Sequence, residues 1–281
     1  MSTDAWPRSA RLDAPAVIER IAAITGVRLV LEGPCPGGAG GAAYVRWPDG
    51  RRSVLTGGHA STGPLLDLAR AAGVPTARYE LSARVDGARI VVQQRLPGTP
   101  PVIVDAALVH RMLALNDRLA GLLTGRWDVP AVELYLITDG PGFCLHQPLK
   151  SYGPRTARLL DWVHEVGATY VEDDEGEDLV HLGYHPGNLL VSGDRITGVI
   201  DWDRARRGDR RLDLVTLRFE LARRFPGLTG PVDERLAAVD AERLRAYWAH
   251  VSLRLVDWAI RHHDPAAVDG WLAVAEHGLR R

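Results

Sequence analysis

The stretch HLGYHPGNLLVSGDRITGVIDWD, residues 181–203, decides the fold and the chemistry predicted for this chain. A polar loop leads into an apolar strand, the chain turns at Gly193–Asp194, and a second apolar strand ends at Asp201. A hairpin of this size brings Asn188 and Asp201 to the same edge. An amide oxygen and a carboxylate placed together suit a hard cation such as Mg²⁺. An isolated D-x-D is better explained as a turn cap, but H-P-G-N shortly before it favours the metal site.

Hydrophobic periodicity divides the chain into a strand-rich first third and a helical remainder. In the first third, strands are predicted over 28–33, 42–47, 52–57 and 89–96, and helices over 13–23 and 61–73. Beyond it, helices are predicted over 104–124, 155–166, 213–224, 233–262 and 265–279. This order of elements predicts an α+β fold.

The segment LPGTPP, residues 96–101, is rich in turn-forming residues and predicts a hinge. A chain of 281 residues has room for one large domain or two lobes. We therefore predict two lobes, a small strand-rich lobe over 1–96 and a larger, mainly helical lobe over 97–281.

Composition narrows the class of partner. The chain carries 34 basic and 35 acidic residues, and a net charge of −1 gives no overall field that favours nucleic acid or an anionic membrane. No apolar run reaches the ~18 residues of a membrane span, and the first residues lack the apolar core of a signal peptide. Two cysteines, Cys35 and Cys144, are too few for a disulfide framework. We expect a cytoplasmic protein.

The pattern H-x-D-x-H-P-x-N, a short hairpin, I-D-W-D and then G-D-x-x-x-D-L resembles the aminoglycoside phosphotransferase family of kinase-like enzymes. This chain matches it over 181–188, apart from Gly183 at the Asp position, and over 200–203 and 208–214. The resemblance implies a protein-kinase-like fold in two lobes, and transfer of the γ-phosphoryl of ATP to a hydroxyl of a small molecule. In this family the acceptor is often an antibiotic, such as an aminoglycoside or a cyclic peptide of the viomycin and capreomycin type, and the activity confers resistance.

The resemblance also implies roles for particular residues. The Mg²⁺ ligands would be Asn188 and Asp201, with a further contact from Asp203. The nucleotide would be bound in the N-terminal lobe, its phosphates under the glycines Gly37, Gly38, Gly40 and Gly41, and its adenine along the hinge at Gln94, Arg95 and Leu96. His181 would orient the catalytic loop, and Asp213 would brace it.

Two positions depart from the family pattern. The catalytic Asp of the family lies five residues before the Asn, where this chain has Gly183, and glycine can neither orient a hydroxyl nor accept its proton. The phosphate-binding Lys would fall near Thr56, so Arg46 or Arg52 on the neighbouring strands could take its place. We therefore keep two alternatives: an enzyme whose base was replaced, and a kinase-like protein that binds a ligand without turnover. A third is a metabolite kinase.

An acidic segment precedes the catalytic loop and contains Asp173, Asp174, Glu175 and Glu177. Such carboxylates could bind a cationic acceptor by charge-assisted hydrogen bonds, although a solvated loop explains them as well. Two other signals are weaker. The pair His181 and His185 has the spacing of a zinc site but lies among glycines and a proline, and the basic cluster 204–211 lies where the family has a structural turn.

Overall fold

The computed structural model describes residues 11–36, 41–171 and 176–278. Of the predicted site residues, Gly37, Gly38, Gly40, Asp173, Asp174 and Glu175 lie outside these ranges. The described residues form two compact units, one of residues 11–101 and 187–205, the other of residues 102–186 and 206–278.

The bounds of the elements are as follows. The strands are β1 (Val30–Pro34), β2 (Ala43–Arg46), β3 (Arg52–Gly57), β4 (Tyr79–Val85), β5 (Ala88–Gln94), β6 (Asp178–Val180), β7 (Leu189–Ser192), β8 (Arg195–Val199) and β9 (Arg206–Gly208). The α-helices are α1 (Ala14–Thr25), α2 (Thr62–Ala71), α3 (Ala106–Asp117), α4 (His146–Tyr152), α5 (Pro154–Thr169), α6 (Arg211–Arg224), α7 (Gly230–Leu236), α8 (Ala241–His262) and α9 (Pro265–Ala275). The predicted α+β class is confirmed.

The first unit is built on a five-stranded antiparallel sheet in the order β1-β2-β3-β5-β4. Helix α1 covers one side of this sheet. It begins where the Asp13 side chain accepts a hydrogen bond from the N–H of Ala16, and it ends at Gly26, whose φ of 75° is a left-handed C-cap. Ile21 of α1 packs with the fully buried Val45 and with other apolar side chains of the strands.

Because side chains alternate along a strand, every second residue of the sheet points away from α1. We call this side the opposite face. It carries the half-buried side chains of Tyr44, Val54, Thr56 and Gln93, with Val91 fully buried. The first turn of α2 closes one end of it, where Gly63 lies against the ring of Tyr79.

The hairpin of β7 and β8 belongs to this first unit. Thr99 and Val191 exchange backbone hydrogen bonds of 3.1 and 2.8 Å, and the N–H of Val199 donates to the carbonyl of Pro75 at 2.8 Å. These bonds explain why residues 187–205 group with the sheet rather than with the helices that surround them in sequence. The lobe boundary at residue 96 stays a prediction, and the compact units differ from it in this segment.

The second unit is mainly helical, with α5, α6, α8 and α9 supplying much of its apolar core. A short antiparallel pair, β6 with β9, joins the strand before residues 181–186 to the strand after residues 201–203. The helix predicted over 104–124 is shorter than expected, since α3 ends at Asp117. The helix predicted over 233–262 is interrupted between α7 and α8, where Asp240 caps the start of α8.

Candidate active site

The end of the β7–β8 hairpin brings Asn188 and Asp201 together. Leu189 pairs with Val199 in the hairpin register, and the N–H of Ile200 donates to the carbonyl of Asn188 at 2.9 Å. Asp201 is the next residue, so both side chains extend from one end of the hairpin. The sequence prediction that these residues share an edge is confirmed.

The backbone at Asp201 is held in an unusual conformation. Its φ is 66°, a left-handed value uncommon for a residue other than glycine. The next residue, Trp202, is buried, and its indole N–H donates to the carbonyl of Val199 at 2.8 Å. The anchored ring stabilises the turn that sets the direction of the Asp201 side chain.

Asp203 is half-buried and lies near the exposed Asp201. Burial, together with the charge of Asp201, raises the pKa of Asp203 to about 6, while the imidazole of His59 lowers it. Burial and the charge of Asp203 also raise the pKa of Tyr79 to about 12. Asp201, Asp203, His59 and Tyr79 therefore share one neighbourhood within the first unit.

These groups fit a divalent cation with oxygen ligands. The repulsion between the carboxylates of Asp201 and Asp203 is relieved when a cation lies between them. Within the described ranges, no group of three or more His, Cys, Asp or Glu side chains forms a closed metal cage. Mg²⁺ needs no such cage, since it binds through one or two carboxylates and keeps several waters.

The catalytic loop, residues 181–186, lies in the second unit and is held by Asp213. The two carboxylate oxygens of Asp213 accept hydrogen bonds from the N–H groups of His181, at 2.7 Å, and Leu182, at 2.8 Å. Leu182 has a φ of 60°, a strained value for a leucine. The bracing role predicted for Asp213 is confirmed. Burial raises its pKa to about 7, although these two donors lower it.

Gly183 is half-buried between two anchored neighbours. Before it, Leu182 is bonded to Asp213, and after it the fully buried Tyr184 donates its hydroxyl hydrogen to the carbonyl of Met112 at 2.7 Å. His181 has no exposed surface. Position 183 is therefore fixed from both sides, and its correspondence to the family's catalytic Asp stays a prediction.

The hinge residues differ in their surroundings. The N–H of Gln94 donates to the carbonyl of Arg78 at 2.8 Å and is engaged within the sheet. Arg95 is exposed, and its guanidinium carbon lies 4.1 Å from the centre of the Tyr44 ring. Leu96 is half-buried. Contact of these residues with adenine stays a prediction.

Arg46 and Arg52, suggested by the sequence as phosphate-binding residues, are both paired with an acidic side chain. They face each other in the strand register next to the β2–β3 turn. Both guanidinium groups pair with Glu32, at 3.3 and 3.2 Å. A phosphate contact at these residues stays a prediction.

Gly41 is required by a close approach of two backbone segments. A Cβ at this position would lie 2.6 Å from Cγ of Arg11 and 2.7 Å from the backbone nitrogen of Leu12, and its φ is +83°. The segment that leads into α1 therefore passes directly over the last glycine of the run. This packing explains the glycine independently of any phosphate.

Glu177, predicted to bind the acceptor, forms hydrogen bonds with the segment at residues 123–124. One of its carboxylate oxygens accepts the hydroxyl hydrogen of Thr124 at 3.0 Å, and its carbonyl accepts from the N–H of Leu123 at 2.8 Å. These bonds fix the end of the acidic segment in the second unit. An acceptor contact at this residue stays a prediction.

Sequence reasoning missed three residues of the site region: Tyr44, His59 and Tyr79. Tyr44 belongs to a predicted strand, but nothing in the local pattern shows which side of the sheet its ring occupies. Tyr79 lies in β4, which was not predicted, and His59 follows β3 without a motif. Only strand order and register bring Tyr79 and His59 near Asp203.

The β7–β8 hairpin, the loop held by a buried aspartate and the α+β fold agree with the kinase-like arrangement that the sequence resemblance implied. The chain belongs to the phosphotransferase enzyme family known as APH, whose family model matches residues 63–256, more than half of its length. The resemblance inferred from the sequence is thereby confirmed at the level of the family.

Solved structures of similar fold belong to the same group. A thermostable mutant of aminoglycoside phosphotransferase APH(4)-Ia, in a ternary complex with AMP-PNP and hygromycin B, superimposes with a TM-score of 0.67 at 15% identity, over 94% of this chain and 98% of that chain. The spectinomycin phosphotransferase APH(9)-Ia, in complex with ADP and spectinomycin, gives 0.61 at 12% identity, over 95% and 98%. An aminoglycoside-3'-phosphotransferase of type VIII gives 0.54 at 21% identity, over 84% and 97%.

No curated protein sequence matches the chain. Among the helices of the described residues, none combines the length and the apolar character that a bilayer crossing requires.

Proposed function

We propose that this protein transfers the γ-phosphoryl group of ATP to a hydroxyl of a small cationic antibiotic, an aminoglycoside or a cyclic peptide, in the cytoplasm. The observation that carries the proposal is the end of the β7–β8 hairpin, where Asn188 and Asp201 lie together beside the half-buried Asp203. Membership of the APH family and the nucleotides bound by its structural neighbours support it.

Asn188 and Asp201 would hold Mg²⁺, with Asp203 next to them. When bound, the cation neutralises charge on the phosphates of the nucleotide. The strained turn at Asp201, anchored by Trp202, keeps the carboxylate in place before the cation arrives. A site built in advance costs less reorganisation on binding.

The catalytic loop would position the acceptor hydroxyl. Asp213 fixes its backbone through His181 and Leu182, so the group at position 183 is presented from a rigid frame. Phosphoryl transfer depends chiefly on positioning and on electrostatic stabilisation. With Gly183 the chain supplies the rigid loop and lacks the general base. Such a base ordinarily raises the reaction rate roughly 10²–10⁴-fold. We infer a slow enzyme.

Gly183 also supports a second function, capture of nucleotide and ligand without turnover. Both functions predict nucleotide binding, and they differ in whether phosphate is transferred and in the effect of restoring a carboxylate. The binding function predicts that Gly183→Asp remains inert.

The cationic nature of the acceptor rests on the acidic segment before the catalytic loop. Glu177, at its end, is held by Thr124 and Leu123. Neutral amides at Asp173, Asp174 and Glu175 should weaken acceptor binding, as should added salt, because exposed charges are screened beyond ~8–10 Å. An acceptor whose affinity ignores both changes would favour the solvated-loop explanation.

The decisive experiment is a phosphorylation screen of cationic antibiotics and of small alcohols such as amino-alcohol metabolites, with radiolabelled ATP and Mg²⁺. Wild type and Gly183→Asp are assayed side by side at equal folded concentration. Labelled product from a cationic antibiotic supports the proposal. Product only from a metabolite would indicate a metabolite kinase, and no product from either protein would leave the binding function.

A further inference from the structure

Two histidines of the second unit direct ring nitrogens at one another. Nδ1 of His146, the first residue of α4, lies 2.9 Å from Nε2 of His164 on α5. The ring centres are 5.0 Å apart, and the ring planes are inclined by 39°. Both residues are half-buried, so an ion in solution can reach the pair.

The other ring nitrogen of His146 is held by the backbone. Its Nε2 lies 3.0 Å from the carbonyl oxygen of Tyr135, and since a carbonyl only accepts, Nε2 carries the hydrogen. Nδ1 of the neutral ring therefore presents its lone pair to His164. In metal sites, imidazole ligands are oriented in the same way, by donation of the second N–H to a backbone carbonyl.

His164 is available as a second ligand at neutral pH. Burial lowers its pKa from 6.5, and the neighbouring His146 lowers it further, while Asp161 raises it and Lys150 lowers it. The ring is therefore neutral, and a neutral imidazole can carry its hydrogen on either nitrogen. With that hydrogen on Nδ1, Nε2 of His164 presents a second lone pair next to the first.

The separation of the two nitrogens fits neighbouring positions around one metal ion. With metal–nitrogen bonds of about 2.0–2.1 Å, two ligand atoms lie about 2.9 Å apart at a 90° angle and about 3.3 Å apart at the tetrahedral angle. The observed 2.9 Å requires rotation of the rings towards a common point and no shift of the helices. Within the described ranges no third His, Cys, Asp or Glu completes a metal cluster, so water fills the remaining positions.

We propose that His146 and His164 bind a divalent transition-metal ion of the class that prefers imidazole, Zn²⁺ or Ni²⁺, between α4 and α5. Imidazole nitrogen suits these ions, whereas Mg²⁺ prefers oxygen ligands. The ion fixes the start of α4, where the N–H of His146 also donates to the carboxylate of Asp139 at 2.7 Å. This inference does not depend on the proposed phosphoryl transfer.

The ion would add a link between α5 and the segment 131–145, which forms no helix or strand. This segment is held by few contacts of its own: the N–H of Tyr135 donates to Nδ1 of His250 at 3.2 Å, and Leu136 packs closely on Gly167 of α5. Since His146 is bonded to the Tyr135 carbonyl, an ion on the two imidazoles ties the segment to α5. An ion that binds the folded chain should raise its unfolding temperature.

Calorimetric titration with Zn²⁺ and Ni²⁺ tests the site, using protein without an affinity tag and with excess Mg²⁺ to occupy oxygen-ligand sites. His146→Gln and His164→Gln should each bind at least about ten-fold more weakly than wild type, because two imidazoles on one scaffold bind an ion far more tightly than one. The control is His263→Gln, at an exposed histidine adjacent to His262. It should bind as wild type does.

A second pair of variants separates metal binding from a purely structural role. His164→Glu and His164→Gln both remove the ring and its hydrogen bond with His146, and their side chains have the same shape. Only the glutamate offers a carboxylate, which Zn²⁺ accepts as a ligand. His164→Glu should therefore bind Zn²⁺ more tightly than His164→Gln and regain the rise in unfolding temperature. In wild type, Zn²⁺ should shift the ¹⁵N resonances of Nδ1 of His146 and Nε2 of His164, and leave those of His250 in place.

Two results would overturn the inference. Equal Zn²⁺ binding by wild type, His146→Gln and His164→Gln would place the ion elsewhere. No binding of Zn²⁺ or Ni²⁺ by wild type at millimolar ion concentration would show that the pair forms a hydrogen bond and no metal site. Neither result bears on the phosphotransferase function, which is tested with Mg²⁺ at Asp201.

Discussion

Asp213 holds the backbone of His181 by a hydrogen bond of 2.7 Å although the two residues are 32 positions apart in sequence. The second oxygen of the same carboxylate holds Leu182. One buried side chain at the start of α6 therefore determines the conformation of the loop that carries position 183. The loop keeps a strained residue, Leu182, because its own N–H and that of His181 both have a carboxyl oxygen of Asp213 as acceptor.

Replacement of Asp213 by asparagine should destabilise the protein. The amide retains one acceptor oxygen, so one of the two buried N–H groups faces an NH₂ group and loses its partner. A buried donor without an acceptor costs about 1–3 kcal/mol. Urea unfolding at pH 7 measures the loss, with Asp86→Asn in the exposed β4–β5 turn as the control. Equal unfolding free energies in wild type and Asp213→Asn would contradict the bracing role.

Gly183→Asp should raise the rate of phosphoryl transfer by ~10²-fold or more, because the carboxylate can accept the hydroxyl proton and direct the oxygen. The measurement is the rate with one established acceptor at equal folded concentration. Gly183→Asn is the matched control, since it has the same shape without a basic oxygen. A rate ratio near one, with Gly183→Asp folded and binding ATP, would reject the replaced-base account.

Asp201→Ala should abolish the Mg²⁺ dependence of nucleotide binding while leaving the hairpin folded. The reason is that Asp201 supplies a carboxylate just after β8. It lies beside Asn188, whose carbonyl accepts the N–H of Ile200. Calorimetry with AMP-PNP, with and without Mg²⁺, tests this. Asp194→Ala, an exposed substitution in the turn at the other end of the same hairpin, should retain the dependence. Unchanged Mg²⁺-dependent binding in Asp201→Ala would rule out the site assignment.

Gly41→Ala should be more destabilising than Gly50→Ala, although both glycines have a left-handed φ, +83° and +87°. Each alanine incurs about 1–2 kcal/mol for its backbone conformation. A Cβ at position 50 meets nothing within 4 Å, whereas one at position 41 collides with Arg11 and Leu12. Overpacking adds about 1–3 kcal/mol. Similar unfolding free energies for the two variants would mean that the contact with the N-terminal segment does not exist.

His250 should make the protein less stable in acid. Burial and the charge of Arg254 lower its pKa from 6.5 to about 3, and its Nδ1 accepts the N–H of Tyr135 at 3.2 Å. Between these two pH values the unfolded chain binds a proton that the folded protein does not. The contribution of neutral His250 to the free energy of unfolding is fully present above pH 6.5 and is lost as the pH falls towards 3. The loss is at most about 1.4 kcal/mol per pH unit.

The measurement is urea unfolding of wild type and His250→Gln between pH 7 and pH 4.5. Glutamine offers an acceptor without titrating, so the variant should lose less stability than wild type over this range. His277→Gln, at an exposed residue near the end of the chain, should follow wild type. Parallel pH profiles for wild type and His250→Gln would show that His250 is not buried in its neutral form.

The elements that sequence reasoning missed share a physical cause. β4 is an edge strand in which apolar residues alternate with Glu80, Ser82 and Arg84, so its apolar content is low. Helix α4 spans only His146–Tyr152 and contains Pro148, and it is stabilised by packing against α5 and α8 rather than by its own pattern. Local periodicity is weak in both, and tertiary contacts supply the stability.

The sequence by itself determined the features that depend on neighbours in the chain. The hairpin register that joins Asn188 to Asp201, the cap of α1 at Asp13 and the order of strands before helices follow from short-range turns and periodicity. The family motif, compressed into 181–214, also identified Asp213 as the brace of the catalytic loop.

Only the tertiary structure decided which distant side chains meet. Glu32 forms ion pairs with Arg46 and Arg52, the two residues that the sequence suggested for phosphate binding. The guanidinium of Arg95 lies over the ring of Tyr44, although β3 separates the strands on which these residues lie. Such contacts depend on strand order and on the side of the sheet to which each residue points. A shift of one residue in register reverses that side, and no local pattern specifies the register between segments far apart in the chain.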